Sequence, residues 1–367
     1  MQIRPDKYLR FLGVPALFGT DRTKRILAVN PTIPPTREEA RDVRVFVYDY
    51  NSTELQQYEF SSIAECYSFR SNENTTWINI DGLRKKDVET LAQQYEIHNL
   101  IVEDILSINQ RPKMDDINGI LFCLLNMLYF NDSTTTVEHE QISIILGKNY
   151  VITFQEDAKR DVFNPLRDRL KIANSKLRQN GPDFLCYALL DLIVDNYFIV
   201  MESLGNCIEQ LEEDVIRVSN TRTLARINKL RKELIVLKRN ITPVRDLIGG
   251  VMKSESELLQ ERNVKYYKDV YDHIIQAHDL TENYRDVLKN IQDVYISNVN
   301  LKMNEVMKVM AIVTCLLAPP TVIVGIFGMN FENIPFAHTH AGFYLTVFIT
   351  VLIPAIMLWV FKKRGWF

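Results

Sequence analysis

Val309–Phe331 reads VMAIVTCLLAPPTVIVGIFGMNF, and Ala341–Phe361 reads AGFYLTVFITVLIPAIMLWVF. These runs of 23 and 21 residues contain no charged side chain. At a helical rise of 1.5 Å per residue each covers ~30–35 Å, the thickness of a bilayer's hydrocarbon core. They predict two transmembrane helices joined by a short loop, Glu332–His340.

Working outward, Lys302 and Lys308 precede the first span, Lys362, Lys363 and Arg364 follow the second, and the loop between them has no lysine or arginine. Basic residues stay on the cytoplasmic side, so both termini are expected inside and the loop outside a plasma or inner cell membrane. Trp359 and Trp366 lie near the inner boundary, where amphipathic rings anchor well. The N-terminus has basic residues but no apolar run long enough for a signal peptide, so insertion falls to the C-terminal spans.

The whole-chain averages conceal this division. The 367 residues carry a formal charge of -3 with 24% charged side chains, and their mean hydropathy is -0.10. Yet from Met310 to Phe367 the only charged residues are Glu332, Lys362, Lys363 and Arg364. The near-neutral balance argues against a nucleic-acid partner. Five scattered cysteines, with no C-x-x-C pair, argue against a zinc ribbon or disulfide framework and fit a reduced cytosolic body.

The expected class is an α+β membrane protein. Residues 1–42 read as a poorly ordered tail. Residues 43–180 read as a cytoplasmic α/β domain, with strands at Val45–Tyr50, Thr76–Ile80, Ile120–Tyr129, Gln141–Leu146 and Tyr150–Phe154, and helical spacing at Lys85–Tyr95 and Arg160–Ala173. Gly147-Lys148-Asn149 marks a hairpin between the last two strands. Residues 181–262 read as an antiparallel helical hairpin about the polar turn Ser219-Asn220-Thr221, with an acidic cluster, Glu209, Glu212, Glu213 and Asp214, that is either a solvated face or an attractor of divalent cations. Residues 263–330 form a stalk helix continuing into the first span, free of glycine and proline from Val264 to Pro319. The loop 331–340, the second span 341–361 and a basic tail 362–367 complete the chain.

Steps of three and four residues along the first span give Asn304, Met307, Ala311, Thr314, Ala318, Thr321, Gly325 and Gly328. This seam is small, polar or methionine, while bulky aliphatics fill the other faces. Continued backward, the same steps give Asn300, Ser297, Asp293, Asn290, Asp286, Asn283 and Asp279. A solvated face merging into a tight helix contact would produce this pattern. The shared phase of the two halves instead suggests several copies around one axial, water-accessible path, with a ring of aspartates lowering a cation's energy and Met307 and Met310 excluding water at a closure.

Gly328-Met329-Asn330 ends the first span. Glycine is suited to the left-handed conformation that stops a helix, and the free carbonyls there form the negative pole of the helix dipole. A ring of neutral amide oxygens suits magnesium, which gives up its water reluctantly and would bind through its hydration shell.

Together with these features, Asn304–Val309, Val324–Glu332, Val102–Leu106, Gln110–Lys113, Asp269–His273 and the tail Phe361–Trp366 make the sequence similar to the CorA family of divalent-cation channels over roughly residues 43–367. The resemblance implies a funnel-shaped homopentamer conducting Mg2+, with Gly328, Met329 and Asn330 as the selectivity filter. It implies that Asn304, Met307, Met310, Thr314, Ala318 and Thr321 face the pore, with Asp293 as an acidic ring. It also implies that Asp104 and Asp269 share a regulatory Mg2+ between neighbouring subunits, with Glu103 and Asp191 as second-site ligands.

The sequence departs from the family's pattern at Phe327, where tyrosine is common, at Ala318-Pro319-Pro320, and in an outer loop containing His338 and His340. Histidines bring softer ions such as Co2+, Ni2+ and Zn2+ into consideration as transported species. No phosphate-binding loop or nucleophile constellation suggests an enzyme. The alternatives are a transporter preferring those softer ions and a membrane-tethered scaffold or sensor that does not conduct.

Overall fold

The structure is a computed structural model; it describes residues 39–40, 42–71, 73–108, 110–156, 161–329, 334 and 340–366. Two compact units divide the chain, one ending at Gln292 and the other spanning Asp293–Phe367.

The first unit is built on seven strands: β1 (Arg44–Tyr50), β2 (Leu55–Phe60), β3 (Thr75–Asp81), β4 (Lys113–Ile117), β5 (Ile120–Asn131), β6 (Thr136–Leu146) and β7 (Tyr150–Gln155). Their order across the sheet is β2-β1-β3-β7-β6-β5-β4. Only β3 and β7 pair in parallel, Ile78 opposite Ile152, and every other neighbouring pair is antiparallel. The β6–β7 hairpin closes where Gly147 N–H donates to the Tyr150 carbonyl at 2.9 Å.

Helices α1 (Lys85–Tyr95) and α2 (Asn99–Leu106), with a 3-10 segment at Ile63–Ser71, share an apolar core with one sheet face. That core includes Val47, Ile78, Phe122, Ile145, Leu91 and Ile101. The short helices α3 (Asn164–Lys171) and α4 (Lys176–Gln179) lead into α5 (Pro182–Arg217) and α6 (Thr221–Lys253). Both long helices pack on β5 and β6 and on each other. A sheet covered on both faces has no polar alternation, which is why β5 is buried continuously from Ile120 to Leu128.

Asn220 caps α6, its side-chain oxygen accepting from Arg222 N and Thr223 N at 2.9 and 3.0 Å. The helix is then pinned to the sheet by two buried polar contacts. Asn126 Nδ2 donates to Asn240 Oδ1 at 2.7 Å, and Val137 N–H donates to Glu233 Oε2 at 2.8 Å.

Helix α7 runs from Val264 to Phe327, 64 residues, and continues through Pro319 and Pro320. Those prolines lack an N–H, so the carbonyls of Cys315 and Leu316 lose their usual intrahelical donors. Within the first unit α7 lies alongside α5. Contacts run in step from Phe184–Tyr266 and Tyr187–Tyr267 to Phe198–His273, so the two helices point the same way. The second unit holds the remainder of α7 and α8 (His340–Lys363).

Among the described residues three helical segments are long and apolar enough to cross a membrane: α5, Glu261–Phe327 and Ala341–Lys363. Burial separates them. The apolar window of α5 is 61% buried, against 6% and 0% for the other two. The apolar face of α5 is thus spent on the sheet, whereas the C-terminal pair present theirs outward.

Candidate metal-binding and pore-forming residues

Asp293, Asn300, Asn304, Met307, Met310, Thr314, Ala318 and Thr321 all lie on α7 and are all exposed. Exposure alone does not single out their seam, because Val309, Val313, Leu317 and Val322 on other faces are exposed too. What distinguishes the seam is its chemistry. The hydroxyls of Thr314 and Thr321 donate to the carbonyls of Met310 and Leu317 at 2.9 and 2.7 Å, so neither leaves an unbonded donor on an apolar helix.

The end of α7 corrects one expectation. The positive-φ glycines among the described residues are Gly82, Gly119 and Gly365, so Gly328 does not terminate the helix in a left-handed conformation. Its N–H instead donates to the Val324 carbonyl at 2.9 Å, and Met329 N–H reaches Ile326 O at 3.3 Å. A Cβ at Gly328 would stand 3.2 Å from that Val324 oxygen, an atom of the same helical turn. Asn330, Glu332 and His338 lie outside the described residues, as do residues 1–38.

The four cytoplasmic acids fall into two groups. Glu103 and Asp104 sit on α2, where Asp104 meets Lys113 at 2.5 Å, and Lys113 also reaches Asp115 at 3.2 Å. Burial opposes the charge on Lys113, but its hydrogen bonds to the two carboxylates outweigh that and raise its pKa. Asp191 on α5 and Asp269 on α7 instead come within electrostatic reach of each other. Burial, then the charges of Asp195 and Asp269, push the Asp191 pKa up, while His273 and the hydrogen bond from Tyr187 pull it down. Within one chain, therefore, Asp191 and Asp269 form one acidic locus and Asp104 is held by a lysine at another.

Two further residues belong to the first locus. Asp191, Asp195 and His273 place one ligand atom each within 4.8 Å of one another. His273 Nδ1 lies 3.6 Å from Asp195 Oδ1, and Tyr187 Oη donates to Asp191 Oδ2 at 3.4 Å. The available signal was the spacing Asp191-x3-Asp195 and Asp269-x3-His273, two pairs one helical turn apart. Two of the four acids near the end of α5 are paired locally: Asp214 with Arg226, and Glu213 with Arg217 at 3.3 Å.

An α/β body followed by two outward-facing apolar helices is the architecture of a membrane protein with a large domain outside the bilayer. Residues 72–363 match the family described as CorA-like Mg2+ transporter protein. The chain belongs to that family. It is 35% identical over 346 residues to the cobalt/magnesium transport protein CorA of Thermotoga maritima, covering 93% of this chain and 98% of the relative. It is 25% identical to the cobalt/magnesium transport protein CorA of Methanocaldococcus jannaschii, covering 79% and 90% respectively. The solved complete structure of the CorA magnesium transporter from Methanocaldococcus jannaschii superposes with a TM-score of 0.73 at 23% identity, over 88% of this chain and 98% of that one.

Proposed function

We propose that this chain forms a homopentameric, funnel-shaped channel for passive Mg2+ influx across a plasma or inner cell membrane, both termini cytoplasmic. The observation that carries the proposal is the single-phase seam on α7, acidic and amide-rich at Asp293 and Asn300, then small and neutral through Thr321. Five such seams around one axis would give a hydrated cation a polar wall without carboxylates inside the membrane. Gly328, Met329 and Asn330 would form the selectivity filter at the outer end, and Met307 and Met310 the dry closure.

Regulation follows from the cytoplasmic acids. Mg2+ shared between Asp104 of one subunit and Asp269 of its neighbour, with Glu103 and Asp191 as ligands of a second site, would offset carboxylate repulsion and favour the closed assembly. It must compete with Lys113 for Asp104, which lowers the apparent affinity of the site for Mg2+. A ligand shifts this equilibrium only by its differential affinity for the closed and open states.

The relatives named for cobalt as well as magnesium support a second reading, in which Co2+ is also carried. Proteoliposomes under an imposed K+ diffusion potential test both. A divalent ion gains ~4.6 kcal/mol per 100 mV, so influx should follow the potential and stop when it collapses. Influx independent of potential would contradict a passive channel, and no influx of any divalent ion would favour a scaffold.

A further inference from the structure

We propose that Asp183 is a positioning residue: it clamps the start of α7 to the body of the protein and so presents Asp269, the proposed intersubunit Mg2+ ligand, in a single setting. The proposal rests on the reading of Asp269 as a Mg2+ ligand and adds the device that holds it.

Asp183 follows Pro182 in the first turn of α5 and is fully buried. Three groups at the beginning of the stalk converge on it. Its Oδ2 accepts from Gln260 N–H at 3.0 Å and from Asn263 Nδ2 at 2.8 Å, and its main-chain carbonyl accepts from Tyr267 Oη at 2.8 Å. Gln260 caps a 3-10 turn, Glu261–Asn263, that runs straight into α7. Among the described residues no lysine or arginine pairs with the Asp183 carboxylate. It lies instead at the N-terminal ends of α5 and of the turn leading into α7, the poles that favour negative charge. Asn263 and Tyr267 are buried as well, so water does not take over a broken bond.

Asp269 lies six residues beyond Asn263 and two beyond Tyr267, less than two helical turns from the clamp. An ion shared between subunits binds less tightly when one ligand is mobile, because binding then includes the entropy of ordering it. Releasing the first turns of α7 therefore raises the Mg2+ concentration needed for closure without removing a Mg2+ ligand.

Hydrogen bonding and charge can be separated at this residue. Oδ1 has no hydrogen-bond partner, and a Cβ placed on Gly181 would stand 3.3 Å from it. Burial, and then the Asp183 charge, raise the pKa of Tyr50, whose hydroxyl is likewise unbonded. Asp183→Asn, with its amide oxygen at the Oδ2 position, keeps both accepted bonds and turns its NH2 into this space.

The test uses the full-length protein in detergent with two readouts. In Mg2+-free buffer, amide hydrogen exchange over residues 264–270 should quicken about tenfold in Asp183→Ala and in Asn263→Ala, the scale of one lost buried hydrogen bond. The Mg2+ concentration that half-protects the chain from proteolysis should rise severalfold in the same two variants. Asp183→Asn should stay near wild type in both readouts, and Asn263→Ala serves where Asp183→Ala folds poorly. A purely structural role would lower thermal stability and leave the Mg2+ midpoint in place. Unchanged exchange in the alanine variants, or quickened exchange with an unmoved Mg2+ midpoint, would overturn the proposal. Quickened exchange where wild type shows no Mg2+ protection would uphold the clamp while refuting the sensing reading.

Discussion

Gly205→Ala perturbs the seat of the long helix on the body. A Cβ at Gly205 of α5 would fall 2.5 Å from Tyr284 Oη and 3.1 Å from its Cζ on α7. Forcing such contacts costs about 1–3 kcal/mol, while replacing a mid-helix glycine by alanine returns about 1 kcal/mol of helix propensity. Tyr284 is half-buried and is able to yield partway toward solvent, so the expected net loss is about 0.5–1.5 kcal/mol. Tyr284→Phe removes the closest atom. The double variant should therefore recover about 1 kcal/mol relative to the sum of the single effects, a coupling that a double-mutant cycle isolates. Denaturant unfolding of the full chain in detergent, followed by tryptophan fluorescence in which Trp77 is the buried reporter, measures all four proteins. A single variant as stable as wild type, with zero coupling to Tyr284→Phe, would refute the close seating of α7 on α5.

Four other predictions concern charge and selectivity. Burial, and then the Asp161 charge, raise the Asp81 pKa to about 6. Because that value lies above the ordinary one near 4, the fold favours the protonated form, and its contribution is lost as pH rises from about 4 through 6. Asp81→Asn, which keeps an acceptor for Asn79 Nδ2, should stabilise by up to about 3 kcal/mol at pH 7.5 and little at pH 4; equal effects at both pH values would contradict this. Asp191→Asn should raise the metal-free melting temperature, since repulsion from Asp195 and Asp269 is relieved, and should shrink the further rise on adding Mg2+; a lower metal-free melting temperature would count against the repulsion. Asn330→Ala should abolish selective Mg2+ uptake in liposomes, and Asp269→Lys should remove Mg2+-dependent protection from proteolysis. Unchanged behaviour in either would displace that residue from its proposed role.

Much of the sheet was legible because its central strands are continuous apolar runs. Val45–Tyr50, Ile120–Tyr129 and Tyr150–Phe154 fall within β1, β5 and β7. The two edge strands were not. β2 is Leu-Gln-Gln-Tyr-Glu-Phe and largely exposed, and β4 is Lys-Met-Asp-Asp-Ile with no fully buried residue. A strand with a neighbour on one side needs little apolar surface, so its period carries little signal. Helix α2 escaped for a similar reason, being only eight residues long. At the candidate site, the seam of α7 follows from helical period alone, and the one continuous helix it assumes is present. The company of Asp191 was not, because His273 reaches it from 82 residues away through the packing of α5 on α7.

The central claim is that the α7 seam lines an ion path, and cysteine scanning in proteoliposomes tests it most directly. In a Cys315→Ser background, needed because Cys315 is exposed, Asn304→Cys, Thr314→Cys, Ala318→Cys and Thr321→Cys should each render Mg2+ influx sensitive to a charged, membrane-impermeant thiol reagent. Val309→Cys, Val313→Cys, Leu317→Cys and Val322→Cys should not. Equal sensitivity on both faces, or block confined to the aliphatic one, would contradict the account.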